Sequence, residues 1–165
     1  MKLLRVILLA LLIFVLQLEV VPEIGILGTA PDLFIVLLVA LVLERGPVAA
    51  VIIGFLLGFL QDLGNASFLG LNALAKSLIA YGASRFGGGF LPESVLFKGL
   101  LIFVASLFNE GLVLLVTTGF DLPVIFFSFF RYSILSALYT AVVGLVVFAL
   151  IDALTGRVVG SRGRR

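Results

Sequence analysis

The feature that most constrains the fold is a series of long apolar stretches joined by short polar turns. Hydrophobic residues make up 62% of the 165 residues and charged residues only 12%, whereas a soluble domain carries about 25% charged residues. Because so few polar side chains cannot cover a water-facing surface, we expect the chain to lie in a lipid bilayer. The apolar stretches are 3–21, 31–43, 47–60, 69–84, 94–118 and 123–151.

The lengths of these stretches indicate the number of membrane spans. A perpendicular span needs about 20 apolar residues, and the first, fifth and sixth stretches meet that requirement. The second and third are shorter, about 20 Å each at about 1.5 Å per residue, and a turn at 44–47 separates them. They either span with help from flanking residues or form a re-entrant hairpin inside the protein. We favour spanning, which predicts an all-α integral membrane protein, a bundle of about six transmembrane helices in a single domain, residues 1–165.

The basic residues indicate the orientation of this bundle. If the N-terminus is cytoplasmic, nine of the eleven lysines and arginines fall on the cytoplasmic side, and no external loop contains one. The positive-inside rule predicts this separation, with both termini in the cytoplasm. The first stretch is interpreted as an uncleaved helix, because no small-x-small cleavage site follows it. The nine residues are Lys2, Arg5, Arg45, Arg85, Lys98, Arg157, Arg162, Arg164 and Arg165.

The chain contains neither cysteine nor histidine, which limits its chemistry. Disulfides and thiolate metal sites are excluded, and the commonest metal ligand and general base is missing. We therefore expect no catalytic residue, no metal site and no cofactor. The basic tail from Thr155 is interpreted as an anchor attracted to anionic lipid, and nucleic acid is not an expected partner.

A stripe of small residues runs along the third stretch. Gly46, Ala50, Gly54 and Gly58 are spaced by four, so they share one helix face. Small residues at this spacing let helix backbones approach closely in lipid. The stripe either packs against a neighbouring helix of the same chain or forms a groove for a partner's membrane helix.

Aromatic residues are concentrated at the start of the sixth stretch. At about 100° per residue, Phe126, Phe127, Phe129 and Phe130 share one broad helix face, and Arg131 lies on the opposite face. We therefore expect Arg131 to point into the bundle. Phe126, Phe127 and Phe130 are then candidates for contact with lipid or with a partner protein.

Three ionisable residues lie well inside apolar stretches, where charge is expensive and commonly functional. Lys76, Glu110 and Arg131 fall at a similar depth, about 12 Å below the outer boundary at about 1.5 Å per residue. Together with Asn72 and Asn109 they predict a buried polar layer. In one interpretation Glu110 pairs with Lys76 or Arg131 and stabilises the bundle. In the other, the spare positive charge binds an anionic ligand.

A second polar group marks the outer end of the third stretch, where Gln61, Asp62 and Asn65 lead into the fourth stretch. Asp62 follows Gly58 by four residues and continues the stripe of small residues. It is expected either to cap the next helix or to form a hydrogen bond with a neighbouring helix at the outer interface. No paired acid, base or nucleophile adjoins it, so catalysis is not expected there.

Between residues 28 and 81 the chain resembles the bacterial rod shape-determining MreD family. The resemblance rests on PDLFIVLLVAL at 31–41, GFLLGFLQD at 54–62, LGLNAL at 69–74, and Tyr81. It implies an inner-membrane component of the peptidoglycan elongation machinery with a fold similar to the substrate-binding subunits of energy-coupling-factor (ECF) transporters. The implied partner is the single-pass protein MreC, and the implied indirect partners are MreB filaments, the polymerase RodA and a penicillin-binding transpeptidase. No catalytic residues are carried over.

Two other functions are compatible with parts of the sequence. The fold similarity suggests a vitamin-binding subunit of an ECF-type transporter, whose ligand pocket would coincide with the polar layer. Against it, the first stretch offers only Ala10 where such subunits usually present an alanine-rich docking face. An intramembrane enzyme, such as a lipid phosphotransferase, would need a carboxylate pair or a histidine on one helix face, and the sequence shows neither.

Overall fold

The computed structural model describes residues 2–26, 28–43, 45–64, 68–86 and 94–155. Asn65 and the basic tail after Thr155 lie outside the described residues, as do the side chains of Lys2 and Arg5. Within the described ranges the chain is helical and contains no strand, apart from one isolated bridge between Ile26 and Thr29. The prediction of an all-α fold is confirmed.

The helices coincide with the predicted apolar stretches to within a few residues. Two of them contain a short π-helical segment. The elements are α1 (Lys2–Val15) with a π-helical segment at Leu16–Val20, α2 (Leu33–Val42), α3 (Pro47–Asp62), α4 (Leu71–Phe86), α5 (Val95–Thr117), α6 (Leu122–Ser128), a second π-helical segment at Phe129–Ser133, and α7 (Ile134–Thr155).

Two of these helices are long and apolar enough to cross a membrane by length and composition. One is α5, with 23 residues and a mean hydropathy of 2.1, and the other is the continuous helix Leu122–Ala153, with 32 residues and a mean hydropathy of 2.6. The apolar helices Leu33–Val42 and Pro47–Asp62 are shorter. Six spans, and the side of the membrane on which the termini lie, stay predictions.

Capping side chains and proline set several helix starts. Asp32, Ser94 and Asp121 accept hydrogen bonds from the first-turn amides of α2, α5 and α6, donors that otherwise have no partner within the helix. Pro47 begins α3, where its missing N–H is not needed.

Helix α2 lies at the centre of the bundle. It contacts α1, α3, α4, α5 and α7, and Phe34, Ile35, Leu38, Val39 and Val42 have no exposed surface. A helix that is apolar on all sides needs such complete coverage by other helices or by lipid. Its 10 residues correspond to about 15 Å. Because α2 is short and most of its residues are buried, its first turn lies inside the bundle, and Asp32 lies there too.

The closest helix contact joins α3 to α4. A Cβ atom on Gly54 would overlap the backbone carbonyl of Lys76, and one on Gly58 would overlap that of Asn72. These two glycines therefore serve packing within the chain, the first of the two predicted roles, and Ala50 is fully buried with them. Gly46 differs, because it is exposed and a Cβ atom there would have no neighbour within 4 Å.

Candidate functional site

A buried ion pair joins the first turn of α2 to the middle of α4. The Lys76 Nζ atom lies 3.0 Å from Asp32 Oδ2. Lys76 is fully buried and Asp32 is 8% exposed, so the two charges interact with little solvent screening. Removing either partner would leave the other charge buried without compensation, so this pair is the main electrostatic contact of the polar cluster.

Asp32 carries more contacts than any other residue of this cluster. Its Oδ1 atom accepts hydrogen bonds from the amides of Phe34 (2.9 Å) and Ile35 (3.2 Å), and Oδ2 accepts one from Gln61 Nε2 (3.3 Å) in addition to the lysine. The backbone amide of Asp32 donates to Thr140 Oγ1 at 3.0 Å. Asp32 thus caps α2 and connects it with α3 and α4 through its carboxylate, and with α7 through its backbone amide.

Gln17, in the π-helical segment that extends α1, completes the cap of α2. Its Oε1 atom accepts from the amide of Leu33 at 2.9 Å, and its Nε2 atom donates to the carbonyl of Pro31 at 3.1 Å. The Gln17 side chain thus supplies hydrogen-bond partners for backbone groups at the start of α2 that have none within their own segment. Inside a membrane such backbone is tolerated only where protein groups or water satisfy it.

Glu110 and Asn109 extend the cluster along α5. Asn109 Oδ1 lies 3.4 Å from Lys76 Nζ, and Glu110 Oε1 lies 3.0 Å from the hydroxyl of Ser136. The same hydroxyl lies 3.2 Å from the carbonyl of Ala30. The predictions that Glu110 pairs with Lys76 or Arg131 are wrong. Lys76 pairs with Asp32 instead, because the short helix α2 begins inside the bundle at the level of the lysine.

Asp62 forms a separate buried cap at the α3–α4 connection. Its carboxylate accepts from the amides of Gly70 (2.9 Å), Asn72 (3.1 Å) and Ala73 (3.1 Å), and from Asn72 Nδ2 (3.0 Å). Capping of the next helix was one of the two predicted roles for Asp62. The side chain of Asn72 therefore contacts Asp62, and the prediction that it joins the layer around Lys76 is wrong.

Arg131 does not point into the bundle, and that prediction is wrong. Its side chain is exposed, and its guanidinium carbon lies 5.7 Å from the centre of the Phe127 ring and 5.5 Å from that of Tyr132. The helical wheel separates Arg131 correctly from the row formed by Phe126 and Phe130. The wheel does not tell which face meets other helices. The π-helical segment that carries Arg131 packs against α5 and buries Ser133, while Arg131 stays exposed.

The aromatic residues of α6 and of the π-helical segment that follows it form an exposed apolar surface, which we call the α6 surface. Phe126, Phe127 and Phe130 are 67%, 61% and 60% exposed, and the rings of Phe126 and Phe130 pack 4.7 Å apart. An open groove of about 700 Å³ runs along this surface, lined by Leu122, Pro123, Ile125, Phe126, Phe129 and Phe130.

Sequence reasoning missed five polar residues of the buried cluster, namely Gln17, Asp32, Gln61, Ser136 and Thr140, as site residues. Some of them carried usable signals. The Pro-Asp pair before an apolar run is typical of a helix N-cap. Ser136 and Thr140 are four residues apart in an otherwise apolar helix, and hence on one face. No local pattern predicts that Gln17 contacts the first turn of α2, because Gln17 belongs to a different helix.

The arrangement is suited to holding helices together. The carboxylates of Asp32 and Asp62 accept helix amides and side-chain donors, which occupy their lone pairs. Within the described ranges, no three acidic side chains are grouped closely enough to hold a metal ion. Two buried polar atoms there, Gln61 Oε1 and Ser106 Oγ, have no hydrogen-bond partner among the described groups.

Comparison with known proteins identifies the family. No curated protein and no solved structure gives a significant match. A family model described as rod shape-determining protein MreD matches residues 1–154, a region that begins before α1 and ends inside α7. Because this match covers far more than half of its length, the chain belongs to the MreD family, membrane proteins with a role in the determination of rod shape.

Proposed function

We propose that this protein is a noncatalytic scaffold of the bacterial inner membrane that takes part in peptidoglycan synthesis during cell elongation. Its direct partner is a single-pass membrane protein of the MreC type. Through that partner it connects indirectly with MreB filaments, the glycan polymerase RodA and a penicillin-binding transpeptidase. The observation that carries this proposal is the family match over residues 1–154.

The polar contacts support a structural role for the buried charges. Asp32 and Asp62 each accept four described hydrogen bonds, three of which come from backbone amides in the case of Asp62. Lys76 is enclosed beside Asp32 and Asn109. Side chains therefore occupy the layer in which a transporter subunit would need a ligand pocket. The family match likewise favours the scaffold over the transporter and over an intramembrane enzyme.

The distribution of charge supports a multi-pass topology with both termini in the cytoplasm. Arg45 lies between α2 and α3, Arg85 in the last turn of α4, and Lys98 in the first turn of α5. Antiparallel helices bring these three residues to one end of the bundle, which the positive-inside rule assigns to the cytoplasm. Six spans satisfy this arrangement.

The exposed aromatic surface of α6 is the site at which we place the partner's transmembrane helix. The alternative surface, the stripe of small residues, is covered by α4 at Gly54 and Gly58. On α6, by contrast, Phe126 and Phe130 are more than half exposed and line an open groove. Dispersion between closely packed side chains is a main source of helix association in lipid, so an exposed row of aromatic side chains is suited to this contact.

The experiment is co-purification of an MreC-type protein with the chain carrying a C-terminal tag, from native membranes. The informative variant is Phe126→Ala with Phe130→Ala. The matched control is Phe55→Ala with Phe59→Ala, a second exposed aromatic pair four residues apart, on α3. We expect the α6 variant to recover the partner about tenfold less efficiently, since removal of a central aromatic contact typically costs about 2 kcal/mol or more. The control should recover it normally.

The outcomes separate the parts of this proposal. If the Phe126 and Phe130 variant recovers the partner as efficiently as the Phe55 and Phe59 control does, the α6 surface is not the docking site, and the scaffold role is left in place. Recovery of ATPase subunits in place of an MreC-type protein would overturn the scaffold role in favour of the transporter. A cysteine-free background makes single-cysteine cross-linking to the partner a direct second measurement.

A further inference from the structure

The exposed arginine of the π-helical segment lies near one edge of the membrane. Helices α5 and α7 are antiparallel, with Lys98 Nζ 4.9 Å from the centre of the Phe148 ring. Arg131 lies about 17 residues before Phe148, which is about 26 Å along the helix. The hydrocarbon core is about 30 Å thick. If Lys98 marks one edge, Arg131 lies within about one helical turn of the other edge.

The charge of Arg131 is not compensated within the described part of the chain. No described carboxylate forms an ion pair with it, and no described acceptor receives its N–H groups. A lone arginine on a lipid-facing surface costs free energy unless it reaches an anion or water. The described arginines at the opposite end, Arg45 and Arg85, lie in or beside connections between helices, whereas Arg131 lies inside a continuous apolar helix.

Two aromatic rings hold the guanidinium in place. The Phe127 ring, one turn earlier on the same helix, and the adjacent Tyr132 ring both lie within 6 Å of its central carbon, the range in which cation–π attraction acts. These contacts engage the guanidinium group without using any of its N–H donors. Those donors form the planar fork that binds phosphate in a bidentate manner.

We propose that Arg131 binds the phosphate group of a membrane lipid in the leaflet at the α5–α6 end. The phosphate lies at the depth that the guanidinium reaches, and exposed apolar side chains on the same helix, including Val124, Phe127 and Leu138, can contact the acyl chains. A lipid supplies both the anion and the apolar surface from one molecule. Free phosphate supplies the anion alone.

This lipid site is independent of the proposed partner surface. Arg131 and Phe127 are four residues apart and form one row along the helix, whereas Phe126 and Phe130 form the neighbouring row, about 100° away. A partner helix packed on the second row leaves the first row open to lipid. The lipid site is therefore tested on the purified chain without any partner protein.

The experiment is photo-cross-linking in vesicles of phosphatidylcholine and phosphatidylglycerol. A photoactivatable phosphatidylglycerol with its reactive group next to the phosphate is the probe, and adducts are mapped by peptide mass spectrometry. We expect adducts between residues 124 and 138, reduced about fivefold or more in Arg131→Gln and less in Arg131→Lys, which keeps the charge and loses the fork. Adducts near Arg85 in the same sample should not change and serve as the internal control.

Three results would overturn this inference. The first is equal labelling of residues 124–138 in Arg131→Gln and in the unchanged chain. The second is an equal loss of labelling by a photoactivatable diacylglycerol without phosphate, which would mean that the variant altered the helix surface and not phosphate recognition. The third is competition by inorganic phosphate in millimolar excess, which would assign the site to the free ion. Unchanged melting temperatures verify that the variants fold.

Discussion

Replacement of Lys76 by methionine is the sharpest test of the buried ion pair. Methionine matches the length of the lysine stem, so the buried space that the Lys76 side chain occupies stays filled. The substitution removes the 3.0 Å contact with Asp32 and the 3.4 Å contact with Asn109. Asp32 then keeps its two amide donors and Gln61, and its carboxylate stays buried without a cation.

The expected cost follows from these contacts. Breaking a buried ion pair by removal of one partner costs about 3–5 kcal/mol, and the remaining N–H donors of Asp32 place Lys76→Met near the lower value, about 3 kcal/mol. A second substitution, Asp32→Asn, removes the uncompensated charge and retains an oxygen that caps α2. The double variant should therefore regain about 0.5–3 kcal/mol, the range of coupling energies for residues in contact.

The assay is unfolding of the purified chain in mild detergent, followed by helical circular dichroism during titration with a denaturing detergent. Lys98→Met is the matched control, because Lys98 is only half-buried and its ammonium lies over the Phe148 ring and forms no ion pair with a carboxylate of the described residues. The control should lose less than about 1 kcal/mol. A double variant as unstable as the sum of its single substitutions would refute the interpretation of Lys76 and Asp32 as a coupled pair.

Three further predictions test the packing and the caps in the same assay. Gly58→Leu should lower the melting temperature strongly or separate α3 from α4, because its Cβ would overlap a backbone carbonyl. Gly46→Leu should be tolerated, because no atom lies within 4 Å of a Cβ there. Equal melting temperatures of the two variants would contradict this packing. Asp62→Ala should lower the free energy of unfolding by at least about 2 kcal/mol, because it leaves several buried amides without an acceptor. Its control is Asp121→Ala, which removes one 3.4 Å hydrogen bond at an exposed cap and should change stability little. Glu110→Gln should keep the contact with the serine hydroxyl and leave the melting temperature unchanged or raised; a clear decrease would indicate a cation partner outside the described residues.

The fold was predictable from the sequence because helix formation in lipid depends on local properties. Each apolar stretch became a helix, since a chain in hydrocarbon must satisfy its own amides and a helix does so within one segment. Pro47 and the stretches rich in polar residues marked where helices start and end. The shortness of α2 was also visible in the sequence as a stretch of about 13 residues.

The candidate site was predictable only as a set of residue types at one depth. The sequence predicts Lys76, Asn109 and Glu110 at one level of the bundle, because position along a helix determines depth. In the structure Asn109 lies beside the buried Lys76, and Glu110 is half-buried and contacts Ser136; a shared depth in the membrane stays a prediction. The pairing within the layer was not predictable in this way. It depends on which helices are neighbours, and the decisive partner, Asp32, belongs to the helix that the other helices surround.

The amino-acid sequence by itself determined that this chain folds as helices in a membrane and where those helices lie, because these properties follow from hydropathy and from the hydrogen bonding that a lipid environment demands. Only the tertiary structure decided that Asp32 receives the charge of Lys76, that α4 covers Gly54 and Gly58, and that Arg131 is exposed in the π-helical segment after α6. Those outcomes depend on the order in which helices pack around α2. Neighbours in a bundle are selected by shape and charge across distant segments, and no local pattern records them.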